Sequence, residues 1–575
     1  MSPQGRPKGE YRRAQHEGTP VTPPDRPKGE YRSAQHEGTP LTTPRFMVSA
    51  AHRSSGKTTV SIGLAAAFAA RGLAVQTFKK GPDYIDPMWL ALASGRPCLN
   101  LDSYLMGEDA VRAGFATRAA AAALALVEGN MGLHDGVSLD GSDSNAGLAR
   151  LLALPVVLVI DTRGMTRGVA PLILGYQAFD RNIRIAGVIL NRVGGARHEA
   201  KLRAVIEHYT DLPVLGAIQQ DERLAMTERH LGLVPASELE GAARRVHGIA
   251  DAVAAQVDLD RVLALAGDAP MPAVTRPAAP AAAAASPPVA TAPAVASASS
   301  ASSASSASSA SSASSASSAV SAVSVISAVS ATQATRQGGP RLRIGIARDR
   351  AFGFYYADDL AAFEASGADL MPIDTLADTR LPALDGLFIG GGFPEMHMAA
   401  LEANASLRLA LREAIADGLP VYAECGGLMY LARTLQWQGR VAQMVGAIPG
   451  DAVMHERPVG RGYVHLQETA DFPWPRLAGD ACAHRAHEFH HSSLQNLDPG
   501  LAYGYSVSRG HGIDGRRDGV VVGNLFGAYA HRHNAGQDRW VPRFLAFVRR
   551  VAAERRTRND AAACAVATTA IALPA

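Results

Sequence analysis

Cysteine is scarce in this chain, with four in 575 residues at Cys98, Cys425, Cys482 and Cys564. So few, none of them paired at metal-ligand spacing, exclude a disulfide framework and a cysteine zinc site. Reduced thiols suit a cytoplasmic enzyme. Charge of one sign is also lacking, since 56 Lys and Arg face 53 Asp and Glu. Eight of the basic and five of the acidic residues fall in residues 1–45, leaving 48 of each sign elsewhere. Nothing there offers the electrostatic footprint that nucleic acid requires. Long apolar runs are missing as well. The longest, residues 151–160, contains Pro155 and stops at Asp161. That is about half of the ~20 residues a membrane helix needs, so no membrane partner is expected. No apolar stretch of the signal-peptide kind opens the sequence.

What is present is enough hydrophobic residue, 47%, for more than one core, and 575 residues suggest two or three domains. Residues 6–20 recur almost unchanged at 26–40. Two copies of a polar unit bury no core, so residues 1–44 read as a disordered tail. Residues 45–267 alternate short apolar runs with helical stretches. Strands are expected at 46–50, 73–78, 122–127, 156–160, 185–190 and 214–218, in a doubly wound, mostly parallel sheet with helices on both faces. Residues 268–338 turn Ala/Pro-rich and then into a tandem Ser-Ser-Ala repeat, which reads as a disordered linker. A second α/β domain is expected over 339–551, with strands at 342–347, 370–373, 387–389 and 421–423. An Ala-rich tail, 552–575, follows.

Cys425 ends a short apolar run at Glu424-Cys425-Gly426-Gly427, just before a helical pattern. A cysteine on such a strand-to-helix turn is presented at the sheet edge, and the helix N-terminus beside it favours the thiolate. A buried structural cysteine is the alternative. The glycines that follow argue against it, because they let a substrate approach the backbone.

The run Ser54-Ser55-Gly56-Lys57-Thr58-Thr59 follows a strand and precedes a helix, which is the context of a P-loop, although Ala51 replaces its usual leading glycine. Ser55, Gly56, Lys57, Thr58 and Thr59 would cradle the phosphates of ATP, with Lys57 on the β/γ oxygens and Thr58 on Mg²⁺. Glu128 ends a buried strand where ligands of parallel sheets bind. It is either a second Mg²⁺ contact or a helix-capping carboxylate. The loop Lys79-Lys80-Gly81-Pro82-Asp83-Tyr84-Ile85-Asp86-Pro87 carries two lysines and two carboxylates. It suits a site for phosphate, metal and a carboxylated substrate, with a solvated charged turn as the alternative.

Together these segments resemble the cobyrinic acid a,c-diamide synthase family, including its hydrogenobyrinic acid-specific members. The matching stretches are SAAHRSSGKTTVSIGL, QTFKKGPDYIDPMW, NLD at 100–102, VEGNMGLHDG, VILNRV, FIGGGFPE, YAECGGLMYL, RAHEFHHS and GNLFGAYAHRH, spread over residues 45–550. The resemblance implies an ATP-dependent amidoligase fused to a class I-like glutamine amidotransferase domain. L-Glutamine is then hydrolysed at Cys425, and ammonia attacks the a and c carboxylates of a corrinoid activated as acyl phosphates. It implies Asp83, Tyr84, Ile85 and Asp86 as the substrate loop, Asp83 as a further metal contact and Asn191 as a reader of adenine. It also implies His531 as the activator of Cys425, and Gly391, Gly392 and Gly426 as an oxyanion hole. Class I amidotransferases carry a Glu two residues after that histidine. His533 stands there instead, so the expectation is a Cys425–His531 dyad. His487, His490 and His491 read as structural.

Cobyric acid synthase and nickel-sirohydrochlorin a,c-diamide synthase share both domain types and are the alternatives within the class. A partitioning-type P-loop ATPase is the alternative outside it, and Cys425 with His531 argues against that one. The assembly is left open between monomer and homodimer. If the low-complexity segment carries no core, replacing residues 268–338 with a Gly/Ser tether of ~25 residues leaves glutamine-dependent amidation largely intact. Steady-state amidation assays check this. Lost coupling with preserved glutaminase would mean that the segment positions the domains.

Overall fold

The computed structural model describes residues 43–229, 232–267, 341–536 and 538–571. The duplicated unit and the segment 268–338 lie outside them. In the N-terminal half the strands are β1 (Arg45–Ala50), β2 (Val75–Lys80), β3 (Leu99–Leu101), β4 (Leu124–Glu128), β5 (Val156–Asp161), β6 (Ile185–Val193) and β7 (Val214–Gln219). They form one sheet in the order β3-β2-β4-β1-β5-β6-β7, with every pairing parallel. The six expected strands are present, and β3 is an addition. Alternation along β1 sends Phe46, Val48 and Ala50 into one core and Met47 into another, so each face of the sheet carries its own helical layer. A two-stranded hairpin, β8 (Glu228–Arg229) with β9 (Gly232–Leu233), follows.

Helix α1 (Lys57–Ala70) is apolar almost all round, which suits a helix wedged between the sheet and a second helix, Ala242–Ala254. Contact there is so close that a Cβ added at Gly63 would stand 2.4 Å from Val253 Cγ2. Two further helices place the site, α2 (Ile85–Ser94) and the single turn α3 (Ser103–Met106).

The C-terminal half holds β10 (Leu342–Ala347), β11 (Phe352–Phe354), β12 (Ala368–Ile373), β13 (Gly386–Ile389), β14 (Gly391–Gly392), β15 (Val421–Glu424) and β16 (Thr434–Trp437). Then come β17 (Arg440–Gln443), β18 (Asp451–Met454), β19 (Gly460–Glu468), β20 (Ala483–His490), β21 (Ser492–Gln495), β22 (Ala502–Arg509), β23 (Arg517–Val522) and β24 (Leu525–Ala528). Nine of these make one sheet, β12-β10-β13-β15-β24-β23-β22-β19-β20. It is parallel from β12 to β24 and antiparallel beyond. Apart from β24, an addition beside β15, the parallel strands are those the sequence announces. The antiparallel extension is not, because strands such as β20 (AHRAHEFH) alternate buried and open residues with histidine and arginine among them. A final helix, Trp540–Ile571, continues through residues 552–571, which the sequence reading leaves as a tail. Their alanine content favours helix. No helix among the described residues is long and apolar enough to cross a membrane.

The halves meet along a polar and aromatic seam. Tyr463 donates its hydroxyl to Asp102 Oδ2 at 2.7 Å, Tyr104 donates to the Val464 carbonyl at 3.3 Å, and the two rings stack 4.1 Å apart. Phe393 of the C-terminal half is buried in a core of the N-terminal half.

Two helical glycines give opposite expectations. Gly→Ala gains about 1 kcal/mol of helix propensity, which Gly175 collects in full because nothing lies within 4 Å of a Cβ there. At Gly63 the overlap with Val253 costs about 1–3 kcal/mol and wins. Gly175→Ala therefore raises the thermal midpoint and Gly63→Ala lowers it, as differential scanning calorimetry of the two variants would read.

Candidate active sites

In the N-terminal half the P-loop turns on two left-handed residues, Ser54 (φ 61°) and Gly56 (φ 89°), and α1 starts at Lys57. A side chain at Gly56 would strike Asn191, whose amide nitrogen donates to the Ser55 carbonyl at 2.8 Å. Asn191 thus braces the loop's backbone. Ser55 is buried and donates its hydroxyl to the His52 carbonyl. Ala51, in place of the leading glycine, accepts at its carbonyl from the Tyr176 hydroxyl. Burial, with Lys79 nearby, lowers the Lys57 ammonium to about 8.

The ammonium of Lys79 is the hub of this site. It is buried at the end of β2 and bonded to Asp86 Oδ2 and Glu128 Oε1, with Asp83 Oδ2 at 3.8 Å. Burial alone would lower its pKa, and Asp86, Glu128 and Asp83 more than reverse that, holding it well above the ordinary lysine range. Thr58 Oγ1 donates to Glu128 Oε1 at 2.7 Å and lies 3.3 Å from Asp86 Oδ2. Burial pushes the Glu128 carboxyl up, against the pull of Lys79.

The loop itself is held from the neighbouring strand β3. Asn100 of β3 donates to the Gly81 and Asp83 carbonyls at 2.8 and 2.7 Å, which is the work of the NLD stretch. Asn145 clamps the segment after β4 by accepting from Asn130 N and donating to the Gly132 carbonyl.

Three loop residues depart from expectation. Asp83 Oδ1 turns back onto the amides of Ile85 and Asp86 at the start of α2. Its neighbour Asp86, in the first turn of that helix, is the carboxylate that lies beside Thr58, at 3.3 Å. Ile85 does not line a substrate surface, since this apolar side chain is buried in the core. Tyr84 crosses to the other half. Its ring lies 5.4 Å from that of Phe354, nearly parallel, 4.5 Å from Tyr356 and 5.1 Å from His531.

Among the described residues, no three His, Cys, Asp or Glu side chains close on one point as a self-sufficient metal cage would. The donors still fit Mg²⁺, which takes one or two carboxylates and completes its shell with water and phosphate. Thr58 Oγ1, Asp86 and Glu128 supply hard oxygens, and Glu128 Oε2 is buried with no hydrogen-bond partner among the described residues.

In the C-terminal half β15 ends at Glu424 and the chain reverses at Cys425, with φ 47° and ψ −100°, before the helix Gly426–Leu431. That backbone is strained for a residue with a side chain, and it is the elbow that presents a nucleophile. The Cys425 amide donates to the Ala528 carbonyl at 2.8 Å, fixing the turn against β24. Gly391, Gly392 and Gly426 close around it. A Cβ at Gly426 would sit 2.8 Å from Gly392 N, and one at Gly391 would sit 2.8 Å from His531 Cε1. Side chains there would occupy the space that a substrate carbonyl needs.

His531 is tied by both backbone groups to His487, at 3.0 and 2.7 Å. Its Nδ1 lies 3.2 Å from Glu424 Oε2. The expected Cys425–His531 pair therefore has a third group beside it. A carboxylate does face the imidazole, and it comes from the residue before the nucleophile. Burial would lower the His531 pKa, but the Cys425 thiol and the Glu424 carboxylate raise it to about 10. His533 is buried with no partner for either ring nitrogen among the described residues, and burial pushes it down to about 4. His490 stacks on Tyr529 and its Nδ1 lies 2.7 Å from the Ser492 carbonyl, and His491 Nδ1 lies 3.2 Å from the His455 carbonyl.

Two family models match the chain. Residues 47–234 match the CobQ/CobB/MinD/ParA nucleotide binding domain, and residues 343–539 match the CobB/CobQ-like glutamine amidotransferase domain. A cobyrinate a,c-diamide synthase of Magnetococcus marinus is 41% identical over 504 residues, spanning 88% of this chain and 96% of the relative. One of Methanosarcina acetivorans is 38% identical, spanning 85% and 92%. With both domains matched in their order and relatives of this identity covered almost end to end, the chain belongs to the cobyrinate a,c-diamide synthase family.

Proposed function

We propose that this chain amidates the a and c side-chain carboxylates of cobyrinic or hydrogenobyrinic acid, using ATP and ammonia released from glutamine. The observation that carries the reading is the pairing of both centres in one chain, with Tyr84 of the ligase loop resting against His531 of the glutaminase site. A partitioning ATPase has no use for the second centre.

The glutaminase half acts first. Cys425 Sγ attacks the glutamine amide carbonyl, and the oxyanion that forms is met by backbone amides of the Gly391, Gly392 and Gly426 cluster. Protonated His531 hands its proton to the departing ammonia, and water then releases glutamate from the thioester with the same imidazole as base. In the ligase half a corrinoid carboxylate attacks the γ-phosphorus of ATP, giving an acyl phosphate and ADP. Ammonia displaces the phosphate and leaves the amide. Lys57 and the amides of Ser55, Gly56, Thr58 and Thr59 hold the phosphates in line. Thr58, Glu128 and Asp86 would hold Mg²⁺, which when bound neutralises charge on the transferring phosphoryl group. Asn191, fixed beside the P-loop, would read the adenine of the nucleotide. Side-by-side kinetics on cobyrinic and hydrogenobyrinic acids test the substrate and decide whether cobalt is already present when the chain acts.

Two sets of variants separate the halves. Lys57→Ala abolishes ATP-driven amidation with either glutamine or ammonia, because phosphate positioning is common to both; near wild-type amidation with ammonia would remove the P-loop role. Cys425→Ala loses glutamine-dependent amidation while high ammonium still supports ATP-dependent amidation. His531→Ala loses about 10²–10⁴-fold of the glutamine-dependent rate. Product analysis with each nitrogen source reads all three, and glutamine-dependent turnover persisting in Cys425→Ala would defeat the proposal.

A further inference from the structure

We infer that Glu424 positions His531, so that hydrolysis runs on a Cys425–His531–Glu424 triad whose carboxylate precedes the nucleophile in the chain instead of following the histidine. This rests on the glutaminase reading above and adds a residue that the motif comparison passes over. The usual place for such a carboxylate, two residues after the histidine, is taken by His533, which is buried and uncharged at neutral pH and bonds to nothing among the described residues.

Glu424 is held so that one oxygen is spent and the other is aimed. Oε1 accepts from the Tyr422 hydroxyl at 2.7 Å and from the Arg532 amide at 3.1 Å, which leaves Oε2 for His531 Nδ1 at 3.2 Å. Tyr422 and Glu424 are two residues apart on β15 and share a face, as the pleat requires. Cys425 would point to the opposite face if the strand continued. The positive φ at the elbow turns it back, so that one imidazole meets the carboxylate through Nδ1 and leaves its other nitrogen for the thiol. The chain repeats the arrangement from the histidine's side, because Arg532, adjacent to His531, supplies one of the amides that fix the carboxylate. A carboxylate on Nδ1 sets the tautomer and orientation of the ring and stabilises the imidazolium that pairs with a thiolate.

The groups facing His531 are few. They are the Cys425 thiol, the Glu424 carboxylate, the Tyr84 ring from the other half, and His487 across the backbone bridge, itself pushed down to about 3 by burial and by His531. Asp359 acts on Glu424 from further off. Of these, Glu424 and Cys425 raise the imidazolium's pKa, so removing the Glu424 charge must bring it down.

The test is the pH profile of glutaminase kcat/KM in the full chain, for wild type, Glu424→Gln and Glu424→Asp, with the thermal midpoint of each. An imidazolium stabilised by a neighbouring carboxylate persists to higher pH, so activity that needs it is lost as pH rises through its pKa. Glu424→Gln is expected to lose about 10²–10³-fold in kcat/KM and to move the alkaline limb down by about 1–3 units. Glu424→Asp keeps the charge but withdraws it by one methylene, and gives an intermediate rate and limb. It carries the test alone if the Gln variant does not fold. An alkaline limb that stays at the wild-type pH in the folded variants, whatever their rates, overturns the inference and leaves Glu424 a structural anchor of Tyr422 and Arg532. A wild-type chain with no glutaminase activity at all would instead overturn the function proposed above.

Discussion

One buried ammonium organises the ligase half. Lys79 is sealed at the end of β2, and a lone buried cation there would be too costly to keep. The chain answers with carboxylates from two directions, Glu128 from the end of β4 and Asp86 from the first turn of α2. Satisfying Lys79 therefore fixes how α2 leaves the loop, and that in turn brings Asp86 to Thr58 at the mouth of the P-loop. The cation's charge opposes the upward push that burial gives the Glu128 carboxyl. A pair of carboxylates poised beside a P-loop threonine is what a phosphoryl-transfer site needs. Here the cation in the middle holds the pair together before any ligand arrives.

The glutaminase half solves a different problem, the strained presentation of a thiol. The elbow at Cys425 sits between β15 and a helix that opens with two glycines, and each glycine has backbone or a core side chain pressed against it. A Cβ on Gly427 would lie 2.3 Å from the Ile389 carbonyl. The surrounding sheet, parallel at β13, β15 and β24, over-determines the turn and sustains the strain.

The sequence was most legible where the fold is most buried. Strands covered on both faces, such as 156–160 and 421–423, show as unbroken apolar runs. The P-loop and the elbow cysteine are local in sequence, so their chemistry can be read from a few adjacent letters. The antiparallel edge β19–β20 and β22 is half open, and its alternation carries arginine and histidine that look like loop. Glu424 is hidden for a similar reason. Its bond to His531 spans 107 positions, whereas the class I pattern places a carboxylate two positions past the histidine. The choice between Asp83 and Asp86 was equally invisible. Both belong to one acidic loop, and only the entry angle of α2 decides which faces Thr58 and which caps the helix.

Tyr84 and Asp86 are two residues apart, on a segment pinned at its base by Asn100. One end of that segment grips the cation of the ligase site, and the other lies flat on Phe354 and against His531. Two peptide units span at most ~7 Å, so there is little slack between these contacts. One short stretch of backbone, held from Asn100, thus sets both where the Asp86 carboxylate meets Lys79 and where the Tyr84 ring meets His531.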